Sequence, residues 1–382
     1  MDLVRLSKYT KRDREKEALI ESVMPRLANL SYDKMCMKEC SLSDAEYEME
    51  PEPTKICPKC GRKYGEEENF CFDCLVALKG FEKVDIKTLN VKHEFECTGS
   101  NVYGDFEDIF TKENLIAIND FDFNRKDFNR IIKSIKSTAL KNIDDAIKTN
   151  LINLDSLSIL EKVLLFTKAF VDVEYKSYGH ELGFYSFNTI FIDDRQLDAL
   201  QITTMLHELT HFLIKEMLTK ILCSLLDASK TNEMESIITF ILTYSKENCL
   251  IDEYAAHTVE GRFTLFGYQD YSSFLNIQKE IDLPADEIEM LKTIGNTLAH
   301  MIKTIIESYI DSNMLEDIKS QFKADIMEMP DYDQLMHENC TLLTYEGFFQ
   351  AIQFILVDGF AFASENIDKL KQINEMWNKN EI

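Results

Sequence analysis

The chain carries His207, Glu208 and His211 in the spacing HExxH. Because an α-helix turns about every 3.6 residues, the two histidines lie on one face, one turn apart, and can close on a single metal ion. Glu208 lies beside them, where a carboxylate can take a proton from water at the metal. The spacing therefore predicts a catalytic zinc site with His207 and His211 as ligands and Glu208 as the general base.

The residues around this triplet argue against a chance match on a surface helix or a paired core-histidine motif. They are all uncharged, which predicts a buried helix: Thr204, Met205, Leu206, Leu209, Thr210, Phe212 and Leu213. Burying two imidazoles and a carboxylate without partners would cost several kcal/mol, and a metal ion would remove that cost.

This stretch resembles the zincin metallopeptidases, which have Val or Thr three positions before the first histidine and no charge between the ligands. Thr204 fits that pattern. The metzincin branch requires a glycine and a third histidine where this chain has Ile214 and Met217, so that branch is excluded. The resemblance is to the gluzincin type, and it implies an acidic third ligand on a later helix.

Two segments compete for that ligand. Residues 252–257 resemble the E-x-x-A helix of compact gluzincins, which implies Glu253 as the ligand and a close helix approach at Ala256. Residues 232–236 resemble the Asn-Glu motif of thermolysin-like enzymes, but Ile237 stands where that family has Asp, so Glu233 is the second choice. His257 lies one turn from Glu253 and either orients it, assists catalysis at the oxyanion, or packs between helices.

Two CxxC pairs, Cys57 with Cys60 and Cys71 with Cys74, are separated by ten residues. Four thiolates at the tips of two tight turns can enclose one zinc ion tetrahedrally, and residues 55–80 resemble the zinc ribbon family. A closed shell of four thiolates predicts a structural zinc, since so small a module has too little core to fold without metal. The ribbon is either a folding unit or a docking surface for a partner. The other spaced pairs, Cys36-x3-Cys40 and His93-x3-Cys97, are interpreted as core residues in preference to a second site.

Composition limits the possible partners and location. Lys and Arg number 42 against 67 Asp and Glu, a net charge of −25, which makes nucleic-acid binding by the whole chain unfavourable. The sequence contains no uncharged apolar run long enough to predict a membrane span. Residues 1–5 lack the apolar core of a signal peptide. Ten cysteines in a long chain with CxxC pairs indicate a reducing compartment, so we expect a cytoplasmic protein.

The predicted fold class is α+β and helix-rich, with a zincin-like catalytic core containing a small sheet. Helical periodicity covers residues 125–150, another helix is expected to begin near an N-cap at Asp155, and residues 184–193 are expected to form a strand before the HExxH helix. The expected organisation is a helical segment and acidic linker at 1–54, the zinc ribbon at 55–80, a connector with short strands at 81–124, the metallopeptidase core at 125–275 and a helical region at 276–382.

Together these features predict a zinc-dependent intracellular peptidase that hydrolyses a peptide or protein substrate with metal-activated water. The alternative is a non-catalytic interaction or regulatory protein that binds a partner through its zinc ribbon. In that case the HExxH site is structural or silent.

Overall fold

A computed structural model describes residues 53–81, 84–93, 95–176, 182–264, 272–281, 283–325 and 342–380. The helical segment and linker predicted at 1–54, with Cys36 and Cys40, lie outside these residues except for Pro53 and Thr54. The chain divides into two compact units at Gly80. The predicted α+β, helix-rich class is confirmed.

The smaller unit is built from very short strands. Three of them, β1 (Lys55–Ile56), β2 (Lys63–Tyr64) and β5 (Lys79–Gly80), form an antiparallel sheet in the order β2-β1-β5. The other two, β3 (Phe70–Cys71) and β4 (Val76–Ala77), form a hairpin. Within residues 53–80, the described part of this unit, the buried apolar side chains, such as Ile56, are too few to stabilise a fold of that size without a further cross-link.

The larger unit is dominated by helices around one hydrophobic core. The described helices are α1 (Phe106–Ile109), α2 (Lys112–Asp120), α3 (Arg125–Asn150), α4 (Ile159–Lys168), α5 (Asp198–Leu225), α6 (Asn232–Tyr244), α7 (Lys246–Phe263), α8 (Ser272–Glu280), α9 (Ala285–Ile306), α10 (Ser312–Asp325), α11 (Tyr345–Glu365) and α12 (Ile367–Asn380).

Two predictions are wrong, one about the kind of secondary structure in the connector and one about the residue at which a helix begins. The described part of the connector, 81–124, contains isolated β-bridges at Thr98 and Asn101 and the short helices α1 and α2, where short strands were expected. The Thr111 hydroxyl caps α2, and this local signal outweighs the alternation of residue types. Helix α4 begins after Ser158, which forms a capping box with Glu161, and Asp155 lies in a preceding 3-10 turn.

The sheet beside the HExxH helix has three strands in the order β6-β8-β7: β6 (Asp172–Tyr175), β8 (Thr189–Ile192) and β7 (Gly183–Ser186). The single strand predicted at 184–193 is therefore wrong, because β7 and β8 are an antiparallel hairpin. Its turn places Phe187 at φ 53°, a backbone conformation that Gly or Asn usually supplies. A phenylalanine gives no turn signal in the sequence.

Helix α5 carries the HExxH motif through the core, with most of its residues buried. Helix α7 packs against α5, and α9 packs on α7. The approach of α9 is close, since a Cβ added at Gly295 would lie 2.8 Å from the Ile251 carbonyl oxygen. This packing fixes α7 beside the two HExxH histidines.

Helix α11 is, among the described helices, the one long and apolar enough to cross a membrane. In its most apolar window 44% of the residues are buried, by neighbours that include α6. This is weak evidence for a membrane span, because the core helix of a protein without membrane spans passes the same test.

Candidate metal centres

The HExxH histidines meet a carboxylate from a second helix. His207 and His211 of α5 bring their Nε2 atoms to 3.2 Å from each other, and Glu253 Oε2 of α7 lies 3.8 Å from His207 Nε2. The three donor atoms all lie within 4.8 Å of one another. The structure thus brings together the three side chains that the sequence indicated as metal ligands.

Two further carboxylates contact the Nδ1 atoms of the histidines and so orient the two rings. Asp252 Oδ2 lies 2.8 Å from His211 Nδ1, and Glu260 Oε2 lies 3.1 Å from His207 Nδ1. An ionised carboxylate can only accept, so each Nδ1–H donates and each Nε2 is the ring nitrogen that faces inward. Carboxylates behind the ligating histidines are a regular feature of metal sites, because they fix the tautomer and raise ligand basicity.

The spacing of the inward nitrogens fits a cation held between them. Two imidazole nitrogens bound tetrahedrally to zinc lie about 3.3 Å apart, and the observed distance is 3.2 Å. Without a proton or metal ion, two lone pairs at this distance would repel each other. The donor set of His207, His211 and Glu253 therefore could hold a metal ion.

The electrostatics of this cluster also favour a cation. Burial disfavours a charged His211, but the carboxylates of Asp252, Glu253 and Glu208 outweigh it and raise the pKa of His211 to about 10. Burial alone would raise the pKa of Glu260, but hydrogen bonds from His207 and His257 outweigh it and lower that pKa to about 2. The histidines likewise lower the pKa of Glu253, so Glu253 and Glu260 stay ionised and attract positive charge.

Glu208 differs from the other carboxylates of the site. It is buried, and this desolvation raises its pKa even though the neighbouring histidines oppose the shift. The nearby backbone of Tyr185 on β7 also opposes the shift. Two histidine-containing ligand groups occur among the described residues, one of His207, His211 and Glu253 and one of His207, His257 and Glu260, and Glu208 belongs to neither. It lies beside the ligands with a carboxylate suited to accepting a proton.

His257 connects the outer carboxylate to the third ligand. Its Nδ1 lies 3.3 Å from Glu260 Oε2, and its Nε2 lies 2.5 Å from the Ser273 hydroxyl. That hydroxyl is also 2.5 Å from Glu253 Oε2. His257 is 5% exposed, and burial lowers its pKa. Its contacts favour a role in holding Glu253, one of the alternatives that the sequence left open.

The second choice for the third ligand lies elsewhere. Glu233 of α6 accepts a hydrogen bond of 3.0 Å from the side-chain amide of Asn374 on α12. Within the described part of the chain it joins neither group of potential ligands around His207. The geometry thus favours Glu253.

Sequence reasoning missed three residues of the site. Glu260 repeats the face of Glu253 and His257 at helical spacing, so a helical-wheel reading of α7 could have found it. Asp252 precedes Glu253 directly, where adjacent residues ordinarily point apart. Ser273 comes from α8, and no pattern in the sequence relates it to α7.

The second centre is the cluster Cys57, Cys60, Cys71 and Cys74 in the smaller unit, whose sulfur atoms lie within 4.8 Å of one another. We refer to it as the four-cysteine cluster. The sulfurs of Cys60 and Cys71 are 3.8 Å apart, close to the separation of about 3.8 Å for two thiolates on tetrahedral zinc. The Tyr64 hydroxyl donates to Cys71 at 3.0 Å and lowers the pKa of Cys71 to about 6. The cluster could hold a metal ion.

The two cysteine turns share one backbone geometry. In each, the residue after the second cysteine donates its N–H to the carbonyl of the first, with Gly61 bonded to Cys57 at 2.9 Å and Leu75 bonded to Cys71 at 2.8 Å. Both donors have positive φ, 72° at Gly61 and 55° at Leu75. Gly61 adopts this conformation freely, whereas Leu75 is strained, as expected where a surrounding constraint holds the turn.

No protein-family model matches this chain, and comparisons with curated proteins and with solved structures found no similar protein. The chemistry assigned to the two centres therefore rests on their own residues and distances.

Proposed function

We propose that this chain is a zinc-dependent peptidase with a zincin-like core of gluzincin type. The observation that carries the proposal is the convergence of His207, His211 and Glu253 with Asp252 and Glu260 behind the histidines. Three protein ligands leave one coordination position of a tetrahedral ion for water or substrate, the arrangement of catalytic zinc sites. When bound, zinc would polarise the scissile carbonyl and lower the pKa of water.

The proton transfers belong to Glu208 in this proposal. Its carboxylate takes a proton from the attacking water and gives it to the leaving amine nitrogen. Burial raises the pKa of that carboxylate toward the range that a general base requires. Glu253 is kept in place through Ser273, and His257 acts on it through the same hydroxyl.

The edge strand β7 is suited to hold an extended peptide next to the site. It ends the described sheet, and Gly183 lies so close to α5 that an added Cβ would approach Thr204 to 2.6 Å. A substrate strand pairing with this edge would run past Glu208. This arrangement supports a peptide or protein as the substrate in this proposal.

The four-cysteine cluster is proposed as a structural zinc site that stabilises the smaller unit. Four thiolates fill a tetrahedral shell, so it would supply no catalytic position. A reducing compartment such as the cytoplasm would keep these thiols available for metal.

The second candidate function is a non-catalytic interaction protein. It is favoured by the large apolar side chains that the ribbon exposes, with Phe72 at 81% and Leu75 at 73% of their surface accessible. Such side chains beside the cysteine turns would suit docking on a protein partner. In this case the HExxH cluster has a structural role or none.

Mass spectrometry of a peptide library treated with the zinc-loaded full chain distinguishes the two functions. We expect defined cleavage products from the natural chain and a rate on the order of 10²–10⁴-fold lower from Glu208→Gln, which retains its metal. Equal cleavage by both proteins would contradict the role of Glu208. No cleavage by either zinc-loaded protein would favour the interaction protein.

A further inference from the structure

Two cysteines outside both metal centres line one cavity. Cys223, in the last turns of α5, is 2% exposed, and Cys97 is half-buried. The Cys223 thiol lies 3.9 Å from the Ser229 carbonyl oxygen, and Ser229 pairs with Thr98, the residue after Cys97, in an isolated β-bridge. We refer to Cys97 and Cys223 as the dithiol.

The backbone on both sides of the dithiol is fixed by a crossing of two segments. Asn101 donates its N–H to the Asp227 carbonyl at 2.9 Å, and Ser229 donates to the Asn101 carbonyl at 2.8 Å. The segments touch at Gly99, where an added Cβ would collide with the backbone of Ala228. The backbone crossing therefore holds the segment that carries Cys97 against the end of the helix that carries Cys223.

The two sulfurs are chemically unequal. Interaction with the Cys223 thiol lowers the pKa of Cys97, burial opposes the shift, and the buried ammonium of Lys220 lowers the pKa further. Interaction with Cys97 and burial raise the pKa of Cys223. Cys97 is thus the better nucleophile, and Cys223 keeps its proton until it reacts.

A cavity of about 340 Å³ gives small molecules access to the dithiol. Its lining includes both cysteines together with Lys220, Arg130, Ser134 and Ser224. The lining also contains the carboxylates of Glu96, Asp127 and Asp227, so it is polar, and the volume admits a small polar oxidant.

We propose that the dithiol is an oxidation site at which a hydroperoxide converts Cys97 and Cys223 to a disulfide. The Cys97 thiolate attacks one peroxide oxygen, the O–O bond breaks, and the leaving alkoxide or hydroxide takes up a proton. Cys97 is then a sulfenic acid. The Cys223 sulfur attacks it, the S–O bond breaks, and the hydroxide leaves as water with the thiol proton. Two thiols lose two electrons, and the peroxide is reduced to water and an alcohol or a second water.

The disulfide would join the segment around Cys97 to the helix that carries His207 and His211. The proposal does not depend on peptidase activity. Because the cross-link closes a long loop, oxidation is expected to raise the Tm of the larger unit by on the order of 5 °C.

Differential alkylation of the zinc-loaded full chain tests the proposal. The folded protein is treated with hydrogen peroxide, the peroxide is removed, the protein is unfolded, the remaining free thiols are blocked with iodoacetamide, and the digest is analysed by mass spectrometry. We expect a Cys97–Cys223 cross-linked peptide that lacks two hydrogens. Cys249 is the internal control and should remain alkylated, because burial raises its pKa to about 12. Cys97 and Cys223 both remaining alkylated while Cys249 or ribbon thiols oxidise would overturn the proposal.

Variants separate the two steps. In Cys223→Ser the reaction should stop at the sulfenic acid, which dimedone traps on Cys97. In Cys97→Ser no dimedone adduct is expected on Cys223, since the nucleophile is lost. An adduct on Cys223 in Cys97→Ser would contradict the assigned order. If Cys223→Ser fails to fold, the cross-link map of the natural chain still decides the proposal.

Discussion

The two candidate centres combine ligands in opposite ways. The four-cysteine cluster takes all its ligands from residues 57–74, in two turns with the same hydrogen-bond pattern. The histidine centre takes ligands from α5 and α7, with Ser273 added from α8. The first depends on its own turns, and the second depends on helix packing across a large core. We therefore expect metal to determine the fold of the first unit, and the fold to determine metal binding in the second.

Removing a thiolate should give the largest effect. Cys71→Ala takes away a buried ligand from a unit with a very small core, and structural zinc contributes roughly 10–16 kcal/mol in such modules. We expect the NMR signals of residues 55–80 to become those of an unfolded segment, while the larger unit keeps its Tm. A folded ribbon in Cys71→Ala would show that the unit does not depend on metal.

Removing the third ligand should abolish zinc binding at the histidine centre and leave the fold intact. We expect Glu253→Gln to lower zinc affinity by at least about a hundredfold, since a carboxylate ligand becomes a neutral amide. The matched control is Glu233→Gln on α6, which should bind zinc as the natural chain does. Chelator competition measures both. The reverse ranking of the two variants would assign the third ligand to Glu233.

Neutralising a carboxylate behind a ligand should have an intermediate effect. In Asp252→Asn the side chain keeps its shape, but the charge that orients His211 is lost, so zinc affinity should fall about 10- to 100-fold. Glu247→Gln is the control on the same helix, because Glu247 contacts Ser245 at the start of α7. Similar affinities for both variants would mean that Asp252 has no part in holding the metal.

Losing the Ser273 hydroxyl should have the smallest effect. Ser273→Ala removes one hydrogen bond to Glu253 and is expected to weaken zinc binding about three- to tenfold. Ser308→Ala, which loses a serine hydroxyl bonded to the Ile305 carbonyl, is the control for general destabilisation. Unchanged zinc affinity in Ser273→Ala would remove Ser273 from the site.

The sequence predicts site residues that lie close together in the chain, and it misses those that only helix packing brings together. The CxxC and HExxH spacings lie within one turn or one helix, so chain geometry alone brings those ligands together. Asp252, Glu260 and Ser273 become neighbours of the histidines only through the packing of α7 and α8. Periodicity cannot report such contacts.

The errors in the fold have local causes. The β7–β8 hairpin was missed because the left-handed position of its Phe187-Asn188 turn is held by the phenylalanine, where glycine or asparagine is usual. Helices α1 and α2 were missed because they are short and one residue, Thr111, supplies the cap that starts the second. Longer periodic segments such as Arg125–Asn150 were recognised, since many apolar positions repeat on one face.

Zinc counting by elemental mass spectrometry, before and after chelation, is the direct test for a metal centre at the HExxH helix. We expect two zinc ions per natural chain, of which a chelator removes one without changing the helical circular-dichroism signal. A single zinc ion that is lost in Cys71→Ala, with His211→Ala unchanged in metal content, would contradict a metal centre at the HExxH helix.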